Sequence, residues 1–175
     1  MSTLPTATQL CLEAAKRLGL EASVLDPEYG YLFELRKGER RQAMLGGRSP
    51  LNDAVAARLA EDKHYTGMLL ERADLRTPRT TRCLSREHPS MASYRDRAGM
   101  TPGVAFAKEL GYPVVVKPNR LSHGRGVTLA GDEGTLRRAV RAAWQLDAIA
   151  LVQERIDGRE FRLDFLDGRF LVGYE

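Results

Sequence analysis

Apolar residues at positions 7, 10, 11, 14, 15 and 18 of TATQLCLEAAKRL recur at helical spacing, and Gly19 is a suitable stop, so the pattern predicts a helix over 6–18. EASVLD at 21–26 changes to a strand-like run. Two more such runs in YLFELRKGERRQAML flank Lys37-Gly38 and predict a hairpin. Gly46-Gly47 and Ser49-Pro50 mark a break. A second helical region is predicted over 52–73, capped by Asn52 or Asp53 and open to interruption at Gly67. LRTPRTTRCL at 75–84 reads as a strand entered after a proline. The stretch 85–101, SREHPSMASYRDRAGMT, has no clean period and is read as a long loop. Beyond it the pattern predicts a helix at 102–111, with proline at its start and glycine at its end. The strands YPVVVKP and VTLAG follow, then a helix at 132–146 whose acidic first turn suits the helix dipole. A strand at 148–156 and a hairpin at 160–175, turning at Asp167-Gly168, complete the series. There is no internal repeat and no low-complexity tract.

With 43% hydrophobic residues among 175, the chain can bury a core, which excludes global disorder. No apolar run approaches the roughly 18 residues of a membrane span. The start, MSTLPTATQLCLEAAKRLG, lacks the basic and apolar regions of a signal peptide. Two cysteines, Cys11 and Cys83, make no disulfide framework, so a reduced, cytoplasmic protein is expected. The net charge of +4 suits a nucleic-acid binder and equally a site built for polyphosphate. The excess is uneven: seven arginines face three acids between Arg72 and Arg97.

The chemistry gathers around VVVKPNRLSHGRGV. A lysine at the end of an apolar strand costs free energy if buried alone. Lys117 therefore either snorkels to solvent or meets an anion. The loop after it carries Ser122, His123, Gly124, Arg125 and Gly126, and glycines let backbone N–H groups approach a phosphate closely. The P-loop pattern is absent. Gly124 and Gly126 match the first half of a dinucleotide turn, but position 129 is Leu and a strand follows. Strand, glycine loop, strand describes either an ordinary polar hairpin loop or a flap that would close over a nucleotide. Further on, Gln153, Glu154, Arg155 and Ile156 end an apolar strand whose edge could take an adenine, and Glu160 could take ribose hydroxyls. The same pattern also describes a solvated strand end. Lys63, taken alone, is an ordinary exposed helix lysine.

Four segments in order, "LAEDKHYTGMLLERADLRTP", "ELGYPVVVKP", "LSHGRGV" and "ALVQERIDGREFRLDFLDG", resemble their counterparts in the ATP-grasp carboxylate–amine ligases. The nearest flavour is that of cyanophycin synthetases and the ATP-grasp half of bifunctional glutathione synthetases. The resemblance covers roughly residues 50–175, and residues 1–45 fit the domain that precedes the grasp module. It implies an α+β, incomplete ATP-grasp fold. A pre-grasp α/β segment would occupy 1–50 and the nucleotide-binding region 51–175. That region would comprise a lid with an antiparallel sheet at roughly 76–156 and the start of the C-terminal core subdomain.

The same resemblance implies roles. Lys63 and Lys117 would contact the ATP phosphates, Ser122 to Gly126 would form the flexible loop, and Gln153, Glu154, Arg155 and Ile156 the adenine hinge. Glu160 would bind ribose and Arg162 would assist the phosphoryl group or acyl phosphate. The family makes an acyl phosphate from ATP and a carboxylate, which an amine then attacks. Its Mg²⁺ ligands are expected beyond residue 175, because Asp164 and Asp167 read as strand and turn residues. The chain alone is thus expected to grip ATP without completing catalysis. Its partners would be ATP, a small-molecule or peptide carboxylate and an amine, with a homo-oligomer left open. Two alternatives stand beside this reading: a non-catalytic nucleotide-binding module, and a nucleic-acid binder using the arginine-rich 72–97 segment. Against the second, that segment carries one aromatic, Tyr94, and no RRM, KH or zinc pattern.

Overall fold

The computed structural model describes residues 4–48 and 50–175. Ser49 of the Ser49-Pro50 break and the first three positions of the N-terminal reading lie outside the described residues. The chain divides into two compact units, residues 1–57 and 58–175.

In the first unit the helix α1 (Thr6–Arg17) precedes the strands β1 (Glu21–Val24), β2 (Leu32–Lys37) and β3 (Arg40–Leu45). The strands form one antiparallel sheet in the order β1-β2-β3. Phe33 is fully buried in this unit. The buried Thr8 Oγ1 donates to the Gly30 carbonyl at 2.8 Å. The hairpin turns at Gly38, whose positive φ lies in the region glycine enters without strain.

The helix predicted over 52–73 is two helices, α2 (Ala54–Glu61) and α3 (Lys63–Arg72). Asp53 opens α2 by accepting from the N–H groups of Val55 and Ala56 at 2.8 and 2.9 Å. The interruption falls at Asp62, which caps α3, and Gly67 lies inside that helix.

The main sheet contains β4 (Thr80–Leu84), β5 (Val114–Pro118), β6 (Thr128–Ala130) and β7 (Ile149–Glu154). Its order is β4-β7-β5-β6, and every neighbouring pair is antiparallel. Two helices, α4 (Thr101–Leu110) and α5 (Glu133–Trp144), cover one face. Successive strand side chains point to opposite faces. Cys83, Val114, Val116, Ala130, Ala150 and Val152 therefore form one layer of the core. Leu136, Ala139, Val140 and Ala143 of α5 meet it at helical spacing, and Val104 and Ala107 of α4 complete it. Each fully buried valine or leucine here contributes roughly 1.5–3 kcal/mol. Gly103 lets α4 settle onto the sheet: a Cβ there would sit 2.4 Å from Cys83 Sγ and 2.8 Å from Val152 Cγ2. Asp132 caps α5 by accepting from Thr135 N–H at 2.7 Å.

The loop read at 85–101 contains a 3-10 segment, Pro89–Arg97. Its lack of a helical period has a physical cause, since it packs little more than Met91 and the following Ala98 against Leu84, Ile149 and Leu151. The last hairpin pairs β8 (Arg162–Leu166) with β9 (Arg169–Tyr174). Asp167 and Gly168 both have positive φ, as the Asp-Gly signal requires. No helix among the described residues is long and apolar enough to cross a membrane.

Candidate functional site

The sheet face away from α4 and α5 carries the polar chemistry. Lys117 lies opposite Leu151, and Gln153 lies between Val115 and Thr80, so these side chains share that face. Lys117 Nζ donates to Gln153 Oε1 at 2.7 Å, and Gln153 Nε2 donates to Thr80 Oγ1 at 2.8 Å. One polar chain thus crosses three strands and fixes the direction of the ammonium.

The start of α3 brings in the second lysine. Asp62 is buried, and its Oδ1 accepts from Tyr65 N–H at 3.0 Å. Its Oδ2 accepts from Arg120 Nε and Nη2, both at 3.3 Å. Asn119, fully buried just after β5, takes His64 N–H on Oδ1 at 3.0 Å. Its carbonyl accepts from both Lys63 N–H and Lys63 Nζ, at 3.3 and 3.1 Å. Lys63 Nζ also donates to the Leu121 carbonyl. The helix start is therefore latched to the base of the glycine loop, and Lys63 stands beside Lys117.

The electrostatics reflect that proximity. Burial lowers the Lys117 pKa below the usual 10.5, and the charge of Lys63 lowers it further. Burial lowers Lys63 as well, against the opposing pull of Asp147 and Asp62. Burial acts to raise the Asp62 carboxyl, but Asn119, Tyr65 N–H and Arg120 together outweigh it and leave the pKa below 3.8. His64 is lowered by burial and then by Arg82. Between α3 and the sheet lies a cavity of about 220 Å³, lined by Lys63, His64, Met68, Leu70, Thr80 and Gln153 among others.

The loop 122–126 is exposed throughout. Arg125 N–H donates to Ser122 O at 3.2 Å and Val127 N–H to Gly124 O at 3.1 Å. The N–H groups of His123, Gly124 and Gly126 have no partner among the described residues. His123, Gly124 and Gly126 all have positive φ. Gly126 is also confined, since a Cβ there would meet Pro118 Cγ at 2.9 Å and Leu146 Cδ1 at 2.8 Å.

The structure does not bring every expected residue to the lysines. Glu154 N–H donates to Arg79 O at 2.8 Å, and its carboxylate accepts from Arg79 N–H at 3.0 Å. Both groups are engaged in closing β7 onto the chain before β4. Arg155 pairs with Asp157 at 2.7 Å and lines a separate cavity beside Tyr112. Ile156 stands 62% exposed just past β7. Glu160 and Arg162 are exposed, and Arg162 pairs with Asp164 at 3.6 Å. No hydrogen bond or ion pair joins either to the lysine cluster among the described residues.

Sequence reasoning missed Asp62, Asn119, Arg120 and Thr80. Position 65 is tyrosine, so the Glu or Gln of a capping box, which would strengthen the N-cap signal of Asp62, is lacking. Among the described residues no three His, Cys, Asp or Glu side chains converge on a cation site. The described residues therefore supply no such cluster for Mg²⁺.

Comparison with known proteins decides the family. Residues 95–172 match the family model described as D-ala D-ala ligase C-terminus. The chain is 27% identical over 164 residues to a D-alanine–D-alanine ligase of Acinetobacter baumannii, covering 92% of this chain and 53% of that protein. It is 35% identical over 117 residues to the D-alanine–D-alanine ligase of Stutzerimonas stutzeri, covering 67% and 33%. The bifunctional glutathione synthetase of Pasteurella multocida superimposes on 98% of the chain and 22% of its own, with TM-score 0.55 and 19% identity. The chain belongs to the ATP-grasp family. The antiparallel sheet β4-β7-β5-β6 with α4 and α5 is part of the ATP-grasp fold, and the α+β architecture agrees with the resemblance read from the four segments. This ATP-grasp chain spans about half the length of the A. baumannii ligases it matches, 53% in each.

Proposed function

We propose that this chain holds the nucleotide of an ATP-dependent carboxylate–amine ligase that works through an acyl phosphate. The observation that carries the reading is the pair Lys63 and Lys117. Two partly buried lysines lie near enough for the charge of Lys63 to lower the Lys117 pKa, and burial lowers both. Such a pair is costly alone and favourable around a polyphosphate, because charges interact more strongly where water is partly excluded. In the reaction a carboxylate oxygen attacks the γ-phosphorus and ADP leaves. The amine then displaces phosphate from the acyl carbon, leaving an amide.

The chain's own part is positioning and charge neutralisation, which phosphoryl transfer chiefly needs. Lys63 and Lys117 meet the phosphates, and the unpartnered N–H groups of 123, 124 and 126 close over them. Gln153 aims Lys117, and Ile156 offers an apolar surface to the base. The roles of Glu160 with ribose and Arg162 with the phosphoryl group rest on the family resemblance. The substrates are an amino-acid or peptide carboxylate and an amine, in keeping with the names of the relatives. We place the protein in the cytoplasm, which supplies ATP and keeps Cys11 and Cys83 reduced.

Calorimetric titration with ATP tests the nucleotide grip. Each lost charge-assisted hydrogen bond is worth about 1.5–3 kcal/mol, so Lys117→Ala should bind roughly 10- to 100-fold more weakly. Equal affinity in the parent and in Lys117→Ala would end the reading.

A further inference from the structure

We propose a second ligand site, for a small multiply charged oxyanion, on the opposite side of the sheet from the lysine pair. A cavity of about 680 Å³ opens where β4 leaves the sheet, bounded by the 85–101 segment, the start of α4 and the second half of α5. That volume suits a small metabolite. Its wall includes Ser85, Arg86, Thr101, Arg137, Arg141 and Trp144. Three arginines from two elements line it, and Glu87 is the single carboxylate in the lining.

Two of the three arginines, Arg86 and Arg141, neutralise no protein carboxylate among the described residues. Arg141 has no ion-pair or hydrogen-bond partner among the described residues. Arg86 uses only Nε, donating to Ala98 O at 2.8 Å, which leaves both terminal nitrogens unengaged. Arg137 is held in place by Glu133 at 2.6 Å, one turn away on α5. Glu87 pairs with none of them. Ser85 adds an independent sign. It is 5% exposed and lines the cavity, yet its hydroxyl has no hydrogen-bond partner among the described residues. Ser85 Oγ is not among the buried atoms left without a partner, so it opens to the solvent of the cavity, where it is free to donate to an oxyanion. The helix start contributes little, since Pro102 has no N–H and Gly103 N–H is directed at Cys83.

The walls are braced. Gly99 N–H donates to Leu84 O at 2.9 Å, and Trp144 Nε1 donates to Cys83 O at 2.9 Å. Gly99 has a positive φ, a backbone conformation that favours glycine, and it lies against the Arg86 guanidinium. The long 85–101 connection thus acquires a purpose that the nucleotide reading does not give it. The ligand's shared chemistry is two or more phosphate or carboxylate groups, which match the guanidinium fork.

Trp144 is the chain's one tryptophan and lines this cavity, so its fluorescence reports the site directly. The full chain is titrated with inorganic pyrophosphate and, separately, with citrate, at ionic strength held constant with sodium chloride. A saturable change with either supports the site, and the tighter probe tells phosphate from carboxylate as the natural group. Arg141→Gln, an exposed change, should weaken saturation roughly tenfold, and Lys117→Ala should leave it unaltered. A response no larger than chloride alone gives would overturn the site. So would a response that survives Arg141→Gln but disappears in Lys117→Ala, which would assign it to the lysine pair. Failure here leaves the calorimetric test of ATP binding untouched.

Discussion

Asp62 offers the sharpest test of how the lysine pair is held, because one buried carboxylate performs two separable tasks. It caps α3 through Tyr65 N–H, and it receives Arg120. Loss of a good N-cap costs about 1 kcal/mol. The ion pair is half open, with Arg120 43% exposed against 4% for Asp62, so its loss is worth roughly 0.5–1 kcal/mol. Asp62→Ala should therefore cost about 2 kcal/mol. With a urea slope near 1–3 kcal/mol per molar, the midpoint should fall by about 1 M. Asp62→Asn keeps a capping oxygen and loses only the charge, so it should cost about half as much.

Urea melts followed by Trp144 fluorescence would measure both variants in the unit that contains α3. The pH dependence adds a check of sign. The folded carboxyl pKa lies below 3.8, so its stabilisation is complete above that value and is lost as pH falls through the lower, folded one. The parent's advantage over Asp62→Asn should therefore shrink only below pH 3.8. Because Asp62 precedes Lys63, Asp62→Ala should also weaken ATP binding while Lys117 remains in place. If Asp62→Ala and Asp62→Asn cost the same, the capping account is wrong. If neither moves the midpoint, the latch between α3 and β5 does not hold the site.

The two loop glycines should separate in the same melts. Gly124→Ala meets open space and bears only the left-handed backbone penalty, about 1 kcal/mol, whereas Gly126→Ala adds a clash with the Pro118 ring and should cost about 2–3 kcal/mol. Equal costs would mean that Pro118 and Leu146 yield. A pH series of ATP affinities should show a loss as pH rises that begins below 10.5, because both lysines lose their protons earlier than usual. Lys117→Arg, which stays charged, should move that loss upward, and a flat profile through this range would contradict the pairing.

Much of this was legible in the chain because local signals and tertiary packing agree. The Asp-Gly turn, the acidic start of α5 and the proline and glycine around α4 each mark a boundary the structure keeps. The exceptions have a common cause. The cap at Asp62 is local, to Tyr65 N–H, but the carboxylate is buried against Asn119 and Arg120, and no local pattern announces partners so far along the sequence. The 3-10 segment buries too little apolar surface to write a period into the sequence. The chemistry divides in the same way. Lys117 and the glycines are visible because strand and loop composition expose them, whereas Ser85 and Arg141 look like ordinary surface residues until the fold brings them to one cavity.

The run Val114-Val115-Val116-Lys117 shows why such a site is only half visible. Read as a string, three valines describe a strand buried on both faces, and the lysine looks anomalous. The fold gives the two faces different neighbours. Val114 and Val116 are fully buried against α4 and α5, whereas Val115 and Lys117 share the opposite face with Gln153 and are only partly covered. Lys117 is therefore in register with the strand, and its hydrogen bond to Gln153 holds it on the face where Lys63 arrives. The apolar alternation that builds the core on one side is what delivers the cation to the other, so a register slip of one residue would bury the lysine among the core valines. The buried layer of the core and the placement of Lys117 are thus specified by the same alternation along β5.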